Sequence, residues 1–226
     1  MFDVLQWQKL QHDVAPWRAL RDVQVVAVSK GQSVASMRQA WDAGVRHLGE
    51  SYVQEALDKQ RELSDLALTW HFIGRIQSNK ARPIAEHFDW VHGVTNLAQA
   101  ERLARAREAT GRAPLSVCLQ VNLSGEGSKG GMAAQDVEAH LPSMLLLRGM
   151  VVRGLMTLPE PVATQGEAQI RQRFRTLRQL AEALRASGFA IDTLSMGMSN
   201  DYRIALEEGA TLLRVGTRLF GTRESQ

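Results

Sequence analysis

Several features that define common protein classes are absent from this 226-residue sequence. The single cysteine, Cys118, excludes an internal disulfide and any zinc site built from several cysteines, as is typical of a protein from a reducing compartment. No stretch approaches the roughly 18 uncharged apolar residues of a membrane span, and the N-terminus has no apolar signal-peptide core. We therefore expect a cytoplasmic protein without membrane contact, in which Cys118 packs as a small apolar side chain.

The sequence also lacks a large excess of either charge sign. The sequence has 27 basic and 24 acidic residues, and its arginines are spread between acids, as in the segment 101–112. Nucleic-acid binders instead concentrate basic residues on one face, so no nucleic-acid partner is predicted. His87 and His92 lie near a predicted strand without an H-E-x-x-H pattern or a neighbouring cysteine, so no metal is expected.

Short β-branched apolar runs alternate with longer amphipathic segments, which is the pattern of βα units around a parallel sheet. The eight strand candidates are residues 23–29, 45–49, 69–74, 90–94, 115–122, 150–156, 192–196 and 211–216. The pattern predicts an α/β protein: a single (β/α)8 TIM-type barrel domain over residues 1–226, with an extra N-terminal helix over 3–20.

An open doubly wound sheet is the competing architecture for such a pattern. It would normally carry G-x-G-x-x-G directly after the first strand, where this sequence has Ser29, Lys30 and Gly31. The missing motif and the lack of any linker-like segment favour the barrel.

Barrel enzymes and binding proteins carry their functional residues at the C-terminal ends of the strands. Lys30 follows the first strand and would face the interior if Val26 and Val28 do, because alternate residues share a face. A partly buried lysine is suited to a Schiff base with a carbonyl compound. A lysine that simply extends to solvent is the alternative.

Two loops near the C-terminus predict an anion site. Ser199 follows the seventh strand as a candidate helix N-cap, and Gly216 and Thr217 follow the eighth. Barrel phosphate sites are often built from these two loops, so a phosphorylated ligand is predicted. Arg214 would share the face of Gly216, and either an acid such as Glu50 or a bound ligand could be its partner.

Seven ordered blocks resemble the pyridoxal-phosphate homeostasis protein family, whose barrel is similar to the N-terminal domain of alanine racemase. The blocks are AVSKGQ, LGESYVQEA, HFIGRIQSNKAR, VNLSGEGSKGG, GLMTLPEP, LSMGMSNDYRIAL and LLRVGTRLFGTR, from residue 27 to residue 223. The resemblance covers nearly the whole chain.

The resemblance implies that Lys30 carries pyridoxal 5'-phosphate (PLP) as an internal aldimine and that Arg214 faces the pyridine nitrogen. Ser199, Gly216 and Thr217 would hold the phosphate. It also implies that Met196 and Ser51 lie at the cofactor, although the family usually has asparagine where this chain has Ser51.

The function that the resemblance implies is intracellular PLP (vitamin B6) homeostasis without turnover, with PLP-dependent apo-enzymes as recipients and a monomer as the expected state. The loop lysine Lys129 is a candidate second amine for handing PLP on, and Tyr52 and Tyr202 are candidate ligand neighbours or packing residues. Two alternatives stay open: a weak PLP-dependent amino-acid racemase, and a barrel for another phosphorylated metabolite in which Lys30 is structural.

Overall fold

The computed structural model describes residues 1–123, 130–159 and 162–221. Within these ranges eight parallel strands form a closed barrel in chain order, and the last strand pairs with the first. The strands are β1 Gln24–Val28, β2 His47–Glu50, β3 Thr69–Phe72, β4 Trp90–Val94, β5 Leu115–Gln120, β6 Met150–Met156, β7 Thr193–Ser195 and β8 Leu212–Val215. The predicted barrel is confirmed, with each strand within two residues of its expected ends.

Helices follow the strands and surround the barrel. They are α1 Val4–Arg18, α2 Val34–Asp42, α3 Val53–Glu62, α4 Ala81–His87, α5 Leu97–Glu108, α6 Ala134–Leu145, α7 Val162–Gln165, α8 Glu167–Ala186, α9 Tyr202–Glu207 and α10 Thr217–Phe220, with a 3₁₀ turn at Ser78–Lys80. No helix of the described ranges is long and apolar enough to cross a membrane.

The strands separate two layers of side chains. Val25 and Ala27 of β1 belong to the large apolar core between the sheet and the helices, whereas Val26 points to the barrel interior. On β2 the interior position next to Val26 is Gly49, and a Cβ built there would lie 2.9 Å from Val26 Cγ1. Glycine at this position therefore lets the side chains of β1 fill the interior.

The helices are held by apolar stripes. In α8 the buried residues recur every three or four positions, as predicted from the sequence, so one face packs on the sheet. They are Ile170, Phe174, Leu177, Leu180, Ala181 and Leu184.

The predicted N-terminal helix is α1. The Asp3 carboxylate accepts a hydrogen bond from the amide of Gln6 at 3.0 Å and so caps the first turn. The amide of Asp3 donates to the carbonyl of Leu219 at 2.7 Å, which ties α1 to α10. This contact places α1 beside the loop that follows β8.

Candidate functional site

Lys30 lies two residues beyond the end of β1, in register with the inward-facing Val26. It is half-buried and lines a cavity of about 510 Å³ together with Ser51, Tyr52 and Gly74. The structure therefore places Lys30 and Ser51, which the family resemblance implied to be neighbours of one ligand, in the wall of one cavity.

The backbone on both sides of Lys30 is fixed by α3. The Lys59 ammonium reaches from α3 to the carbonyl of Ser29 at 2.7 Å, and it also donates to Glu55 Oε1 at 2.6 Å. Glu55 Oε1 in turn accepts the amide of Gly31 at 2.5 Å. The residues before and after Lys30 are thus held by one ion pair.

Glu50 completes this buried cluster. Its Oε1 accepts hydrogen bonds from Lys59 Nζ at 2.8 Å and from the Ser29 hydroxyl at 2.7 Å. Burial raises the pKa of the Glu50 carboxyl, and the neighbouring Lys59 charge opposes this rise. Because Glu50 faces α3 outside the barrel, it is not the partner of Arg214 that the sequence left open.

Arg214 lies inside the barrel and is held by neutral acceptors. Its Nη1 donates to the carbonyl and the hydroxyl of Ser195, at 2.7 and 2.5 Å, and its Nη2 donates to the carbonyl of Thr157 at 2.9 Å. Burial lowers the pKa of Arg214 to about 10, against the opposing charge of Asp201. Arginine remains charged at neutral pH, so Arg214 is a buried cation that has no acid among its hydrogen-bond partners in the described part of the chain.

The loops after β7 and β8 are joined by Ser199. Its Oγ accepts hydrogen bonds from the Thr217 hydroxyl at 3.1 Å and from the amide of Arg218 at 3.3 Å. The prediction that Ser199 is the N-cap of the next helix is wrong. That helix, α9, begins at Tyr202 with Asp201 as its N-cap, and the Asp201 carboxylate accepts the amide of Met198 at 2.5 Å.

A polar depression of about 450 Å³ is lined by these loops. Its wall includes Ser199, Asn200, Thr217 and Arg218. Within the described residues, Nε of Arg218 is buried without a hydrogen-bond partner. Two hydroxyls and the guanidinium charge of Arg218 form a set that suits an anion, and the Asp3 carboxylate on the same wall opposes it.

The depression and the Lys30 cavity lie on neighbouring strand ends. β8 pairs with β1 through Val215 and Ala27. Gly216 packs so closely on β1 that a Cβ there would lie 3.2 Å from Cβ of Val28. The loop that carries Thr217 therefore starts beside the segment that leads to Lys30.

The remaining predicted residues occupy different environments. Met196 is fully buried in the apolar core, so only its backbone is available to a ligand. The Tyr202 hydroxyl donates to Asp13 of α1 at 2.6 Å and serves packing. Tyr52 is 60% exposed and borders the Lys30 cavity. Lys129 lies outside the described residues.

Cys118 is buried in the barrel wall, as the sequence predicted. Burial raises the pKa of its thiol to about 12, so the group is protonated at neutral pH and is a poor nucleophile.

Sequence reasoning missed a chain of histidines behind Arg214. His47 Nδ1 lies 3.0 Å from His71 Nε2, and His71 Nδ1 lies 2.9 Å from His92 Nε2. His92 Nδ1 then lies 2.7 Å from the hydroxyl of Ser195. The signal was available, since the successive strands β2, β3 and β4 each carry one histidine. Among the described residues, no group of three His, Cys, Asp or Glu side chains has a metal-binding arrangement.

Comparison with known proteins identifies the family. A sequence model described as alanine racemase, N-terminal domain, matches residues 6–224. Over 202 residues the chain is 52% identical to the pyridoxal phosphate homeostasis protein of Pseudomonas aeruginosa, covering 89% of this chain and 85% of that protein. The chain belongs to the pyridoxal phosphate homeostasis protein family.

Other members of the pyridoxal phosphate homeostasis protein family match over similar lengths. The Escherichia coli K12 protein is 40% identical over 213 residues, which cover 92% of this chain and 88% of that protein. PipY of Synechococcus elongatus, whose structure was solved with PLP bound, is 42% identical and superimposes with a TM-score of 0.83. That match covers 96% of this chain and 99% of PipY.

Proposed function

We propose that this protein binds PLP as a Schiff base on Lys30 and takes part in intracellular PLP homeostasis. The observation that carries the proposal is the likeness to PipY, which has PLP bound and is 42% identical over 96% of this chain. The geometry of the Lys30 cavity supports it, because a half-buried lysine at a barrel strand end can react with an aldehyde.

The donor set of the site fits the three parts of PLP. Lys30 would supply the amine for the aldehyde, and Ser199, Thr217 and Arg218 on the wall of the depression would supply hydroxyl and guanidinium donors for the phosphate. The backbone of Gly216, which directly precedes Thr217, is a further proposed donor. Arg214 is the proposed partner of the pyridine nitrogen. Ser51 and the backbone of Met196 complete the proposed contacts.

The same residues favour a carrier over an enzyme. Bound PLP supplies an aldehyde for amines and, when its pyridine nitrogen is protonated, a strong electron sink. Arg214 has only donors and cannot accept that proton, so it weakens the sink. Tyr202 is engaged with Asp13 and is not available as a base. We therefore propose a cytoplasmic, monomeric carrier that delivers PLP to apo-enzymes without turnover of its own.

The absorbance spectrum tests the cofactor and its lysine together. After incubation with PLP and removal of the excess, the wild-type protein is expected to absorb in the window of about 300 to 500 nm in which a lysine Schiff base absorbs. Lys30→Ala is expected to lose this band. Lys80→Ala is the matched control, because Lys80 lines the same cavity but is exposed, and it is expected to keep the band.

Two results would contradict the proposal. A wild-type protein without any band would exclude PLP as the ligand, and a band in Lys30→Ala that is absent in Lys80→Ala would move the Schiff base to Lys80. Loss of optical rotation from L-alanine that disappears in Lys30→Ala would contradict the carrier role and favour a racemase.

A further inference from the structure

The histidine chain inside the barrel leads to Arg214, and the donor at each of its links can be derived. Arg214 Nη1 can only donate, so the Ser195 hydroxyl oxygen accepts at that contact. The hydroxyl hydrogen then has one acceptor among its described contacts, which is Nδ1 of His92 at 2.7 Å. Because the buried hydroxyl hydrogen of Ser195 needs an acceptor, it is given to Nδ1 of His92, which is then unprotonated.

The same reasoning assigns the protonated nitrogen of each ring in turn. A neutral His92 without a proton on Nδ1 carries it on Nε2 and donates to His71 Nδ1 at 2.9 Å. His71 then donates from Nε2 to His47 Nδ1 at 3.0 Å. Every hydrogen bond of the chain runs in one direction, from Arg214 towards the start of β2 where His47 is half-buried.

The surroundings of the three rings hold them neutral. His71 and His92 are fully buried, and burial lowers the pKa of both well below its usual value, helped at His92 by the charge of Arg214. Burial also lowers the pKa of His47, although the charges of Asp22 and Asp89 oppose this.

Trp90 restricts the rotation of the middle ring. It stacks on His71 with ring centroids 5.6 Å apart and an angle of 16° between the planes. The ring nitrogens of the three histidines face one another in sequence and do not converge on one point, so the chain is a hydrogen-bond relay and not a metal site.

We propose that His92, His71 and His47 are positioning residues which, through the hydroxyl of Ser195, orient the guanidinium of Arg214 for the cofactor. Because hydrogen bonds in such a chain polarise one another, the relay strengthens the acceptor that Arg214 uses. The three bonds of Arg214 occupy Nη1 and Nη2, and Nε takes part in none of them. The cofactor part of this inference rests on the proposed binding of PLP, whereas the direction of the relay does not.

Nitrogen-15 NMR of the protein without added PLP tests the direction first. The six histidines are assigned from single His→Gln variants. His47, His71 and His92 are each expected as the neutral tautomer with the proton on Nε2, and a proton on Nδ1 of any of them would overturn the relay. This measurement stands even if PLP does not bind.

A pair of variants at Ser195 tests the link to Arg214. Ser195→Ala removes the hydroxyl but keeps the carbonyl that Arg214 also uses, while Ser195→Thr retains a hydroxyl on a strand residue. In Ser195→Ala the Nδ1 resonance of His92 is expected to shift, and in Ser195→Thr it is expected to stay near its wild-type position. Identical resonances in all three proteins would overturn the link.

The visible band of bound PLP reports the positioning role. Ser195→Ala is expected to move this band and to weaken PLP binding roughly fivefold, the effect of about one lost hydrogen bond. Ser195→Thr is expected to restore both. A band and affinity equal to wild type in Ser195→Ala would overturn the positioning role, whereas a wild-type protein that fails to bind PLP would contradict the proposed function and leave the NMR result to decide the relay.

Discussion

Two cations are buried near the ends of neighbouring strands, and their partners differ in kind. Lys59 enters from α3 and meets two carboxylates, Glu50 at 2.8 Å and Glu55 at 2.6 Å. Arg214 lies inside the barrel and donates to the carbonyl oxygens of Ser195 and Thr157 and to one hydroxyl. The first cation is ion-paired within the protein, whereas the described hydrogen-bond partners of the second are all neutral.

This difference separates a structural group from a group that is free to act on a ligand. We call a buried ion pair closed when each charge neutralises the other, so that loss of one charge leaves the other uncompensated. A guanidinium held by neutral acceptors keeps its full charge for a third partner. The Lys59 cluster therefore fixes the backbone around Lys30, while Arg214 remains available to the proposed cofactor.

The largest expected effect is the loss of the closed ion pair. Lys59→Met leaves Glu50 buried without its cation and is expected to lower the free energy of unfolding by about 3–5 kcal/mol. Arg214→Met leaves two carbonyls and a hydroxyl without a donor but also removes a desolvated charge, so a smaller loss of about 1–3 kcal/mol is expected. Urea denaturation of both variants measures the difference.

The double variant Lys59→Met/Glu50→Leu serves as the control for this prediction. Replacing both charges by apolar groups is often neutral in protein interiors, so the double variant is expected to be more stable than Lys59→Met alone. If Arg214→Met lowered the free energy of unfolding as much as Lys59→Met, the distinction between the two cations would be contradicted.

The next prediction compares how much PLP stabilises the wild-type protein and two arginine variants. At a PLP concentration of 100 times the dissociation constant, the wild-type protein is expected to gain about 2.7 kcal/mol. Arg214→Met is expected to gain less at the same concentration. Arg107→Met is the matched control, because Arg107 is a buried arginine whose acceptors are also backbone carbonyls, of Ala85, Phe88 and Ala113.

Thermal unfolding with and without PLP measures this gain. Arg107 ties α5 to the end of α4 and lines none of the cavities at Lys30 or Ser199, so its variant is expected to keep the full gain. An equal loss of gain in both arginine variants would mean that Arg214 acts only through stability.

The sequence predicted the barrel well and the buried polar contacts poorly. Strand positions follow from apolar period and turn residues, which are local signals. That the side chains of Lys30 and Arg214 face the barrel interior follows from the alternation of side chains along each of their strands. That Lys59 reaches Ser29 could not be foreseen, because a lysine on a helix reads as exposed until the neighbouring strand is placed. The hydrogen bonds between histidines likewise depend on the register of three strands.

Acid pH is expected to lower the free energy of unfolding, because the buried histidines near Arg214 are neutral in the folded protein. In the unfolded chain a histidine has a pKa near 6.5, whereas burial holds the folded pKa of His71 and His92 well below this value. The unfolded state therefore binds more protons below pH 6.5, and stability falls as the pH drops below that value. Each of the two histidines is expected to add a slope that approaches about 1.4 kcal/mol per pH unit at pH values well below 6.5.

Urea denaturation between pH 7.5 and pH 5.5 compares the wild type with His92→Gln and His12→Gln. Between these two pH values His92→Gln is expected to lose about 1.4 kcal/mol of this dependence in total, and the exposed His12→Gln is expected to keep all of it. An unchanged slope in His92→Gln would show that His92 is charged in the folded protein, which would also remove the neutral setting of Arg214.

The smallest effect on stability is expected at Glu55, the partly exposed ion-pair partner of Lys59. Glu55 is 29% exposed at its side chain, so its ion pair with Lys59 is partly screened and Glu55→Gln is expected to cost only about 0.2–1 kcal/mol of stability. Because Lys59 keeps Glu50 and the carbonyl of Ser29, the buried pair survives. The amide of Gly31 exchanges a charged acceptor for a weaker neutral one, so the PLP band is expected to persist with a faster loss of PLP on dilution. A large loss of stability in Glu55→Gln would mean that the closed pair is Lys59 with Glu55, and that Glu50 is held neutral by burial.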